Sequence, residues 1–331
     1  MLLAQKGLER RMSNAFQPVF IDTDIGDDID DALALALLLC SPEVTVVGIS
    51  TVFGDTSLRA RLAAYLLQVY GYPDVPVAAG QAMPLLLRHA PSGVCQAAIL
   101  PDDLISPLSS LTGPELLLQA ARAYPGELTL LCFGPLTNIA LALQQEPDLG
   151  SRLRQVFFMG GTSGLFWPDW NVRSDAYAAY RVLQARLPVT MIGWNVTAPC
   201  HLRSGDLRRL KLAQSPRLLL LARLIAAWQA DQPWWRSRLR GLHDPLGVAA
   251  LCAPQFFRFA SLPIQVLIQG PLVGWTIPRW LAGQTARSGL GGVFAGPCLD
   301  ASALVRLLST RQRTMWCYWQ GCSENEEEEV R

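Results

Sequence analysis

Pro18-Val19-Phe20-Ile21-Asp22-Thr23-Asp24-Ile25-Gly26-Asp27-Asp28-Ile29-Asp30-Asp31-Ala32 is an apolar run that ends in acid, with six carboxylates inside ten residues. Val19-Phe20-Ile21 is β-branched and aromatic, as a buried strand requires. From Asp30 onward, Asp31-Ala32-Leu33-Ala34-Leu35-Ala36-Leu37-Leu38-Leu39 has strong helix propensity. Its acids lie at the N-terminal end, where the helix dipole favours them. The stretch therefore reads as strand, acidic loop, helix. In open α/β sheets ligands bind at such places, outside the carboxyl ends of strands. Six carboxylates so close repel one another unless water or a cation neutralises them. Surface charge and helix capping are the ordinary explanation of an acidic cluster. An apolar strand running straight into the acids favours a hard divalent cation with oxygen ligands, Ca²⁺ or Mg²⁺.

Outward from that stretch the pattern repeats. Val44 to Ser50 reads as a second strand, ending in Thr51-Val52-Phe53-Gly54-Asp55-Thr56. A helix over Ser57 to Tyr70 closes at Gly71, and Val75 to Ala79 is a short third strand. A long loop rich in Pro, Ser and Gly then runs from Gly80 to about Gly113, a length that is usually functional or disordered. Pro114 to Tyr124 reads as a helix, Leu128 to Phe133 as an apolar strand, and Gly134-Pro135-Leu136-Thr137-Asn138-Ile139-Ala140 as a tight turn opening another helix. Val156 to Met159 and Pro188 to Gly193 are further strands. Strands alternating with helices predict an α/β fold, an open and mostly parallel sheet with covered faces. From Ser204 to Ala253 the pattern is helical, interrupted at Pro233-Trp234-Trp235. A hairpin over Ile264 to Trp280 and a helix over Asp300 to Leu308 follow. The boundaries are an extension over 1–14, one domain over 15–310, and a segment over 311–331 whose acidic tail reads as unfolded.

Composition narrows the function classes. The chain has 331 residues, half of them hydrophobic, and a net charge of +1. No nucleic-acid partner is implied. Lys6 and Lys211 are the only lysines, which removes most candidates for a lysine nucleophile. The eight cysteines are scattered without a C-x-x-C pair, as expected for buried thiols of a cytosolic protein. No apolar run is long enough to span a bilayer, and the first residues lack a signal-type apolar region. The expected location is the cytoplasm.

Five motifs occur in order: the acidic stretch, Gly134 to Ala140, Met159-Gly160-Gly161, Trp170-Asn171-Val172-Arg173-Ser174-Asp175, and His243-Asp244-Pro245. Together they resemble the inosine–uridine preferring nucleoside hydrolase family, from about Pro18 to Leu308. The resemblance implies a nucleoside hydrolase-like domain with a Rossmann-like core, and a Ca²⁺ ion at the carboxyl edge of the sheet. Its ligands would be Asp24, Asp31, the Thr137 carbonyl and Asp244. The implied reaction is Ca²⁺-dependent hydrolysis of the N-glycosidic bond of ribonucleosides. A metal-held water would attack, with Asp24 as general base and His243 as acid for the leaving base. Asp30, Asp55, Asp169 and Asn171 would contact the ribose, and Trp234 and Trp235 could stack on the nucleobase. The implied partners are a small ribonucleoside and further copies of the chain, as a dimer or tetramer. For Asp175 a helix N-cap is expected, and for Trp228 core packing.

The chain departs from the family pattern in the first loop. Asp27-Asp28-Ile29 follows Gly26 before Asp30-Asp31, so the loop is lengthened and Asp28 competes with Asp30. Two other readings share parts of the pattern. A haloacid dehalogenase-like phosphatase also places Asp-x-Asp after a strand, but needs a lysine and a later acidic pair that have no counterpart here. A non-catalytic nucleoside-binding protein of the same fold would keep the metal site without turnover.

Overall fold

The computed structural model describes residues 17–86, 93–104, 107–162, 168–200, 215–232 and 242–278, together with the backbone of 292–297. The expected final helix at 300–308, the expected stacking residues Trp234 and Trp235, and the terminal segments lie outside the described residues. Eight strands form one sheet: β1 (Gln17–Thr23), β2 (Val44–Thr51), β3 (Val77–Ala79), β4 (Leu128–Cys132), β5 (Leu153–Met159), β6 (Val189–Ile192), β7 (Phe257–Leu262) and β10 (Gly292–Pro297). Their order is β3-β2-β1-β4-β5-β6-β10-β7. Every neighbouring pair is parallel except β7 against β10, so the antiparallel strand sits on the edge. β8 (Ile264–Val266) and β9 (Thr276–Pro278) make the expected hairpin.

Strand β1 is the centre of the arrangement. From it the chain winds outward through β2 and β3, then returns to place β4 on the opposite side. The order reverses between β1 and β4, which opens a crevice at their carboxyl ends. Asp22 is in register with Ser50 on β2 and Cys132 on β4, so the acidic loop leaves the sheet at that crevice.

Successive side chains of β1 enter opposite cores, as the period of a strand requires. Val19 and Ile21 join the cluster built by α1 (Asp30–Leu39), α2 (Thr56–Tyr70), α7 (Pro216–Asp231) and α8 (His243–Cys252). Phe20 joins the other, with α3 (Gly113–Ala123), α4 (Thr137–Gln145) and α6 (Ala176–Gln184). The short α5 (Trp170–Ser174) precedes α6. All ten residues of α1 are buried, the two acids included, which explains a helix apolar on every side. Gly71 closes α2 in the left-handed region, as expected.

Strands β7 and β10 were not expected from the sequence. Residues of β7 are mostly exposed, so burial leaves no alternating pattern to read. β10 contains two glycines and ends in proline, the composition of a loop. Trp228 lies in the core, as expected. Cys40, Cys95, Cys132 and Cys200 are unbridged thiols. Among the described residues no helix is long and apolar enough to cross a membrane.

Candidate active site

Asp22 ties the end of β1 to its neighbours. Its Oδ1 accepts from Ser50 Oγ at 2.5 Å and from Asn138 Nδ2 at 2.7 Å, which joins β1, β2 and α4. Thr23 folds the loop back onto the helix it feeds. Its hydroxyl donates to Asp31 Oδ1 at 2.5 Å and accepts from the Ile25 N–H at 3.1 Å. Gly26 sits at φ +125°, and an added Cβ would lie 2.3 Å from Val94 Cγ1, so both conformation and space demand glycine.

The lengthened part of the loop has its own brace. Gln96 donates its backbone N–H to the Gly26 carbonyl at 3.1 Å and its side-chain amide to the Asp28 carbonyl at 2.5 Å. Arg59, fully buried on α2, spreads its guanidinium across the same loop. It donates to the carbonyls of Asp24, Ile25 (3.0 Å) and Phe53 (2.7 Å), and pairs with Asp27 Oδ2 at 2.7 Å. Sequence reasoning missed Arg59. Its signal was an arginine at the spacing of Leu62, Ala63 and Leu66, the buried stripe of the helix.

The carboxylates converge where two helices begin. Asp30 and Asp31 open α1, and Asp244 lies in the first turn of α8. Oxygens of all three lie within 4.8 Å of one another, and all three residues are buried. Burial pushes all three well above the usual carboxylate range, and repulsion from neighbouring carboxylates, Asp24 and Asp28 among them, adds to it. Asp24 is buried beside them and is raised to about 7, chiefly by burial, while the Arg59 charge pulls the other way. The tight set contains Asp30, Asp31 and Asp244, and Asp24 is not one of its members. Asp28 is exposed and accepts from the Ile29 N–H at 2.8 Å, so Asp30, not Asp28, is brought into the cluster.

A cation fits this arrangement on the structure's own terms. Asp244 Oδ1 is fully buried and has no hydrogen-bond partner among the described residues. An unpaired buried carboxylate oxygen facing two further carboxylates is expensive without a counter-charge. All the donors are hard oxygens, the set that Ca²⁺ prefers.

The other expected residues divide. Thr137 stands at the first turn of α4, buried, with its hydroxyl on Asp175 Oδ2 at 2.8 Å. The turn before it closes on the acidic loop: a Cβ on Gly134 would lie 3.0 Å from the Asp24 backbone nitrogen and 3.2 Å from its Oδ1. His243 is the first residue of α8, and its Nδ1 lies 2.6 Å from Thr197 Oγ1. Burial lowers its pKa, and the Asp28 charge opposes that shift. Asn171 donates its amide to the carbonyls of Phe133 (2.6 Å) and Met159 (3.0 Å), bridging the exits of β4 and β5. Asp169 caps α5 by accepting from the Val172 N–H at 3.2 Å, and burial raises it to about 6. Asp55 is exposed and caps α2 through the Leu58 N–H at 3.0 Å. Asp175 is the expected N-cap of α6, through the Ala178 N–H at 3.0 Å.

Comparison with known proteins agrees with this layout. Residues 19–298 match the family model described as inosine-uridine preferring nucleoside hydrolase. Uridine nucleosidase 1 of Arabidopsis thaliana is 30% identical over 281 residues, covering 79% of this chain and 81% of that protein. The pyrimidine-specific ribonucleoside hydrolase RihA of Salmonella paratyphi A is 33% identical over 269 residues, covering 76% and 85%. Among solved structures, the plant nucleoside hydrolase PpNRh1 superposes with a TM-score of 0.79 at 24% identity, covering 89% of this chain and 98% of that one. A match of that extent sets the phosphatase reading aside. The chain belongs to the inosine-uridine preferring nucleoside hydrolase family and is a hydrolase acting on the N-glycosidic bond of ribonucleosides.

Proposed function

We propose that the chain hydrolyses ribonucleosides to free base and ribose in a Ca²⁺-dependent reaction, and that Asp24, Asp31, the Thr137 carbonyl and Asp244 hold the ion. The observation that carries this reading is the unpartnered Asp244 Oδ1, buried against Asp30 and Asp31. When bound, the ion supplies positive charge that holds the ribose hydroxyls and makes a nearby water easier to deprotonate.

The chain's own residues then divide the work. Asp24 takes the proton of the attacking water, lying buried beside the carboxylates that would hold the ion. Breaking the C1′–N bond leaves positive charge on the ribosyl ring, and the surrounding carboxylates stabilise it. His243 gives a proton to the departing base, which would otherwise leave as an anion. Asp30 holds a ribose hydroxyl. Asp55, Asp169 and Asn171 serve the sugar through the turns they cap and bridge, and Trp234 and Trp235 supply faces for the base. Uridine is the first substrate to test, since two similar relatives carry uridine or pyrimidine specificity in their names.

A ribonucleoside panel tests the reading, with released base and ribose measured before and after chelation. Uridine turnover that is lost on chelation and restored by Ca²⁺ is the expected result. Asp244→Asn should lose Ca²⁺ binding and at least about a hundredfold in kcat/KM. Turnover untouched by chelation would refute the Ca²⁺ assignment. Bound Ca²⁺ with no turnover of any nucleoside in the panel would refute the roles given to Asp24 and His243.

A further inference from the structure

One buried hydroxyl faces the proposed acid. Thr197 is fully buried in the single helical turn Trp194–Thr197 that follows β6. Its Oγ1 lies 2.6 Å from His243 Nδ1. The segments carrying the two residues are also tied through the backbone. The Leu242 N–H donates to the Cys200 carbonyl at 2.7 Å, and the Cys200 N–H donates to the Thr197 carbonyl at 3.0 Å. The turn itself hangs from the sheet edge, where the Trp194 N–H donates to the Gly161 carbonyl at 2.8 Å.

We propose that Thr197 is a positioning residue for His243: its hydroxyl holds Nδ1, so that the ring delivers its proton to the leaving base from Nε2. The inference rests on the acid role of His243 given above. Among the described residues the ring's hydrogen bond is made through Nδ1. A histidine acting as an acid carries protons on both ring nitrogens, and both donate. Nδ1–H then donates to Thr197 Oγ1. The hydroxyl in turn directs its hydrogen to the Trp194 carbonyl, 3.4 Å away.

As the C1′–N bond breaks, its electron pair goes to the base nitrogen, which takes the proton from Nε2. The ring is left neutral, with its remaining proton on Nδ1 and still held by Thr197. The hydroxyl also reaches the Trp194 carbonyl one helical turn back, as a buried helical threonine commonly does. Here the contact with the ring is much the shorter of the two. Threonine also suits the task because branching at Cβ leaves its hydroxyl few rotamers.

The experiment compares two substrates, uridine and p-nitrophenyl riboside, whose nitrophenolate leaves without a proton. His243→Ala should slow uridine by a factor of about a hundred to ten thousand and the nitrophenyl riboside far less. Thr197→Val keeps the shape of the side chain and removes the hydroxyl. It should lower kcat for uridine about tenfold, the worth of one hydrogen bond, with KM little changed. The nitrophenyl riboside should be slowed by less than about threefold. Thr197→Ser should recover the uridine rate, and Thr197→Ala provides the same comparison if the valine variant does not fold. Equal slowing of both substrates, or of neither, by the apolar variants while His243→Ala stays selective would overturn the role of Thr197 and leave His243 as the acid. Equal slowing of both substrates by His243→Ala would remove the acid reading and this inference with it.

Discussion

Arg59 shows how one buried charge can brace an acidic loop. Its guanidinium satisfies three main-chain carbonyls of the site and one carboxylate of the lengthened loop. One of those carbonyls belongs to Phe53, which sits at φ +67°, the single positive φ among described residues other than glycine. A side chain in that region is strained by about 1 kcal/mol or more. The arginine therefore braces a strained turn and an acidic loop at once. Replacing it with methionine keeps most of the volume and leaves three buried carbonyls without a donor. At roughly 1 kcal/mol each, Arg59→Met should destabilise the fold by about 3 kcal/mol. Asp27 adds little, because its carboxylate is partly in water. Denaturant unfolding checks this, and a loss below about 1 kcal/mol would show that water or loop movement replaces the donor. Arg59→Lys should fall in between, since an ammonium cannot reach all four acceptors. The acids could be read from the sequence because carboxylates after an apolar strand stand out. Arg59 could not, because one arginine on a helix of mixed polarity looks like a solvated residue until the buried stripe is known.

At the level of elements, the site is a meeting of chain ends. The exits of β1 and β4 face the starts of α1, α4 and α8, and each meeting depends on short-range fit. Gly134 is one of them. A Cβ there would lie 2.6 Å from Val52 Cγ1 and 3.0 Å from the Asp24 backbone nitrogen. Valine is stiff at χ1 and a backbone nitrogen cannot swing aside, so Gly134→Ala must push β4's exit away from β1's. The expected cost is about 1–3 kcal/mol of stability. Weaker Ca²⁺ binding should accompany it, because Asp24 and Thr137 flank the displaced turn. Calorimetric titration with Ca²⁺ beside thermal unfolding would show both, and unchanged Ca²⁺ affinity would mean that Asp24 moves without consequence for the ion. Helices and strands near the site were legible because apolar periodicity and glycine punctuation mark them. The Gly71 stop has local chemistry that sequence displays directly. β7 and β10 were not legible, since their pairing is set across the sheet, β7 is mostly exposed, and β10 has the glycines and proline of a loop. The proximity of Asp30 and Asp244 was implied only by the family resemblance. Nothing local to either residue encodes a distance between helices more than two hundred positions apart.

Across the whole molecule, the fold places a block of buried acid at its topological centre and so couples stability to proton and metal binding. Burial raises Asp22 and Asp24 to about 7 and raises Asp30, Asp31 and Asp244 as well. In an unfolded chain these side chains ionise near 4, at about 3.9 for aspartate. Between those values the unfolded state has released protons that the native state still holds. The native state binds more protons, so raising the pH favours unfolding. For the metal-free protein, the contribution of these groups is fully present below about pH 4 and is lost as the pH climbs through about 7. His243 acts in the opposite sense because burial lowers its pKa, but it is one group against five. Ca²⁺ binds the ionised carboxylates and releases their protons, so it stabilises most where the metal-free protein is weakest. Thermal unfolding with a chelator present should therefore give a midpoint that falls between about pH 5 and about pH 7.5. Excess Ca²⁺ should flatten or reverse that fall, with the largest gain at the upper end of the range. Asp244→Asn should lose most of the Ca²⁺ gain and show a shallower pH slope, because it removes both a ligand and a repelling charge. A chelated wild-type protein whose midpoint rises steadily over the same range would mean that the acids are ionised and paired within the native fold, and the counter-charge argument for the ion would fail.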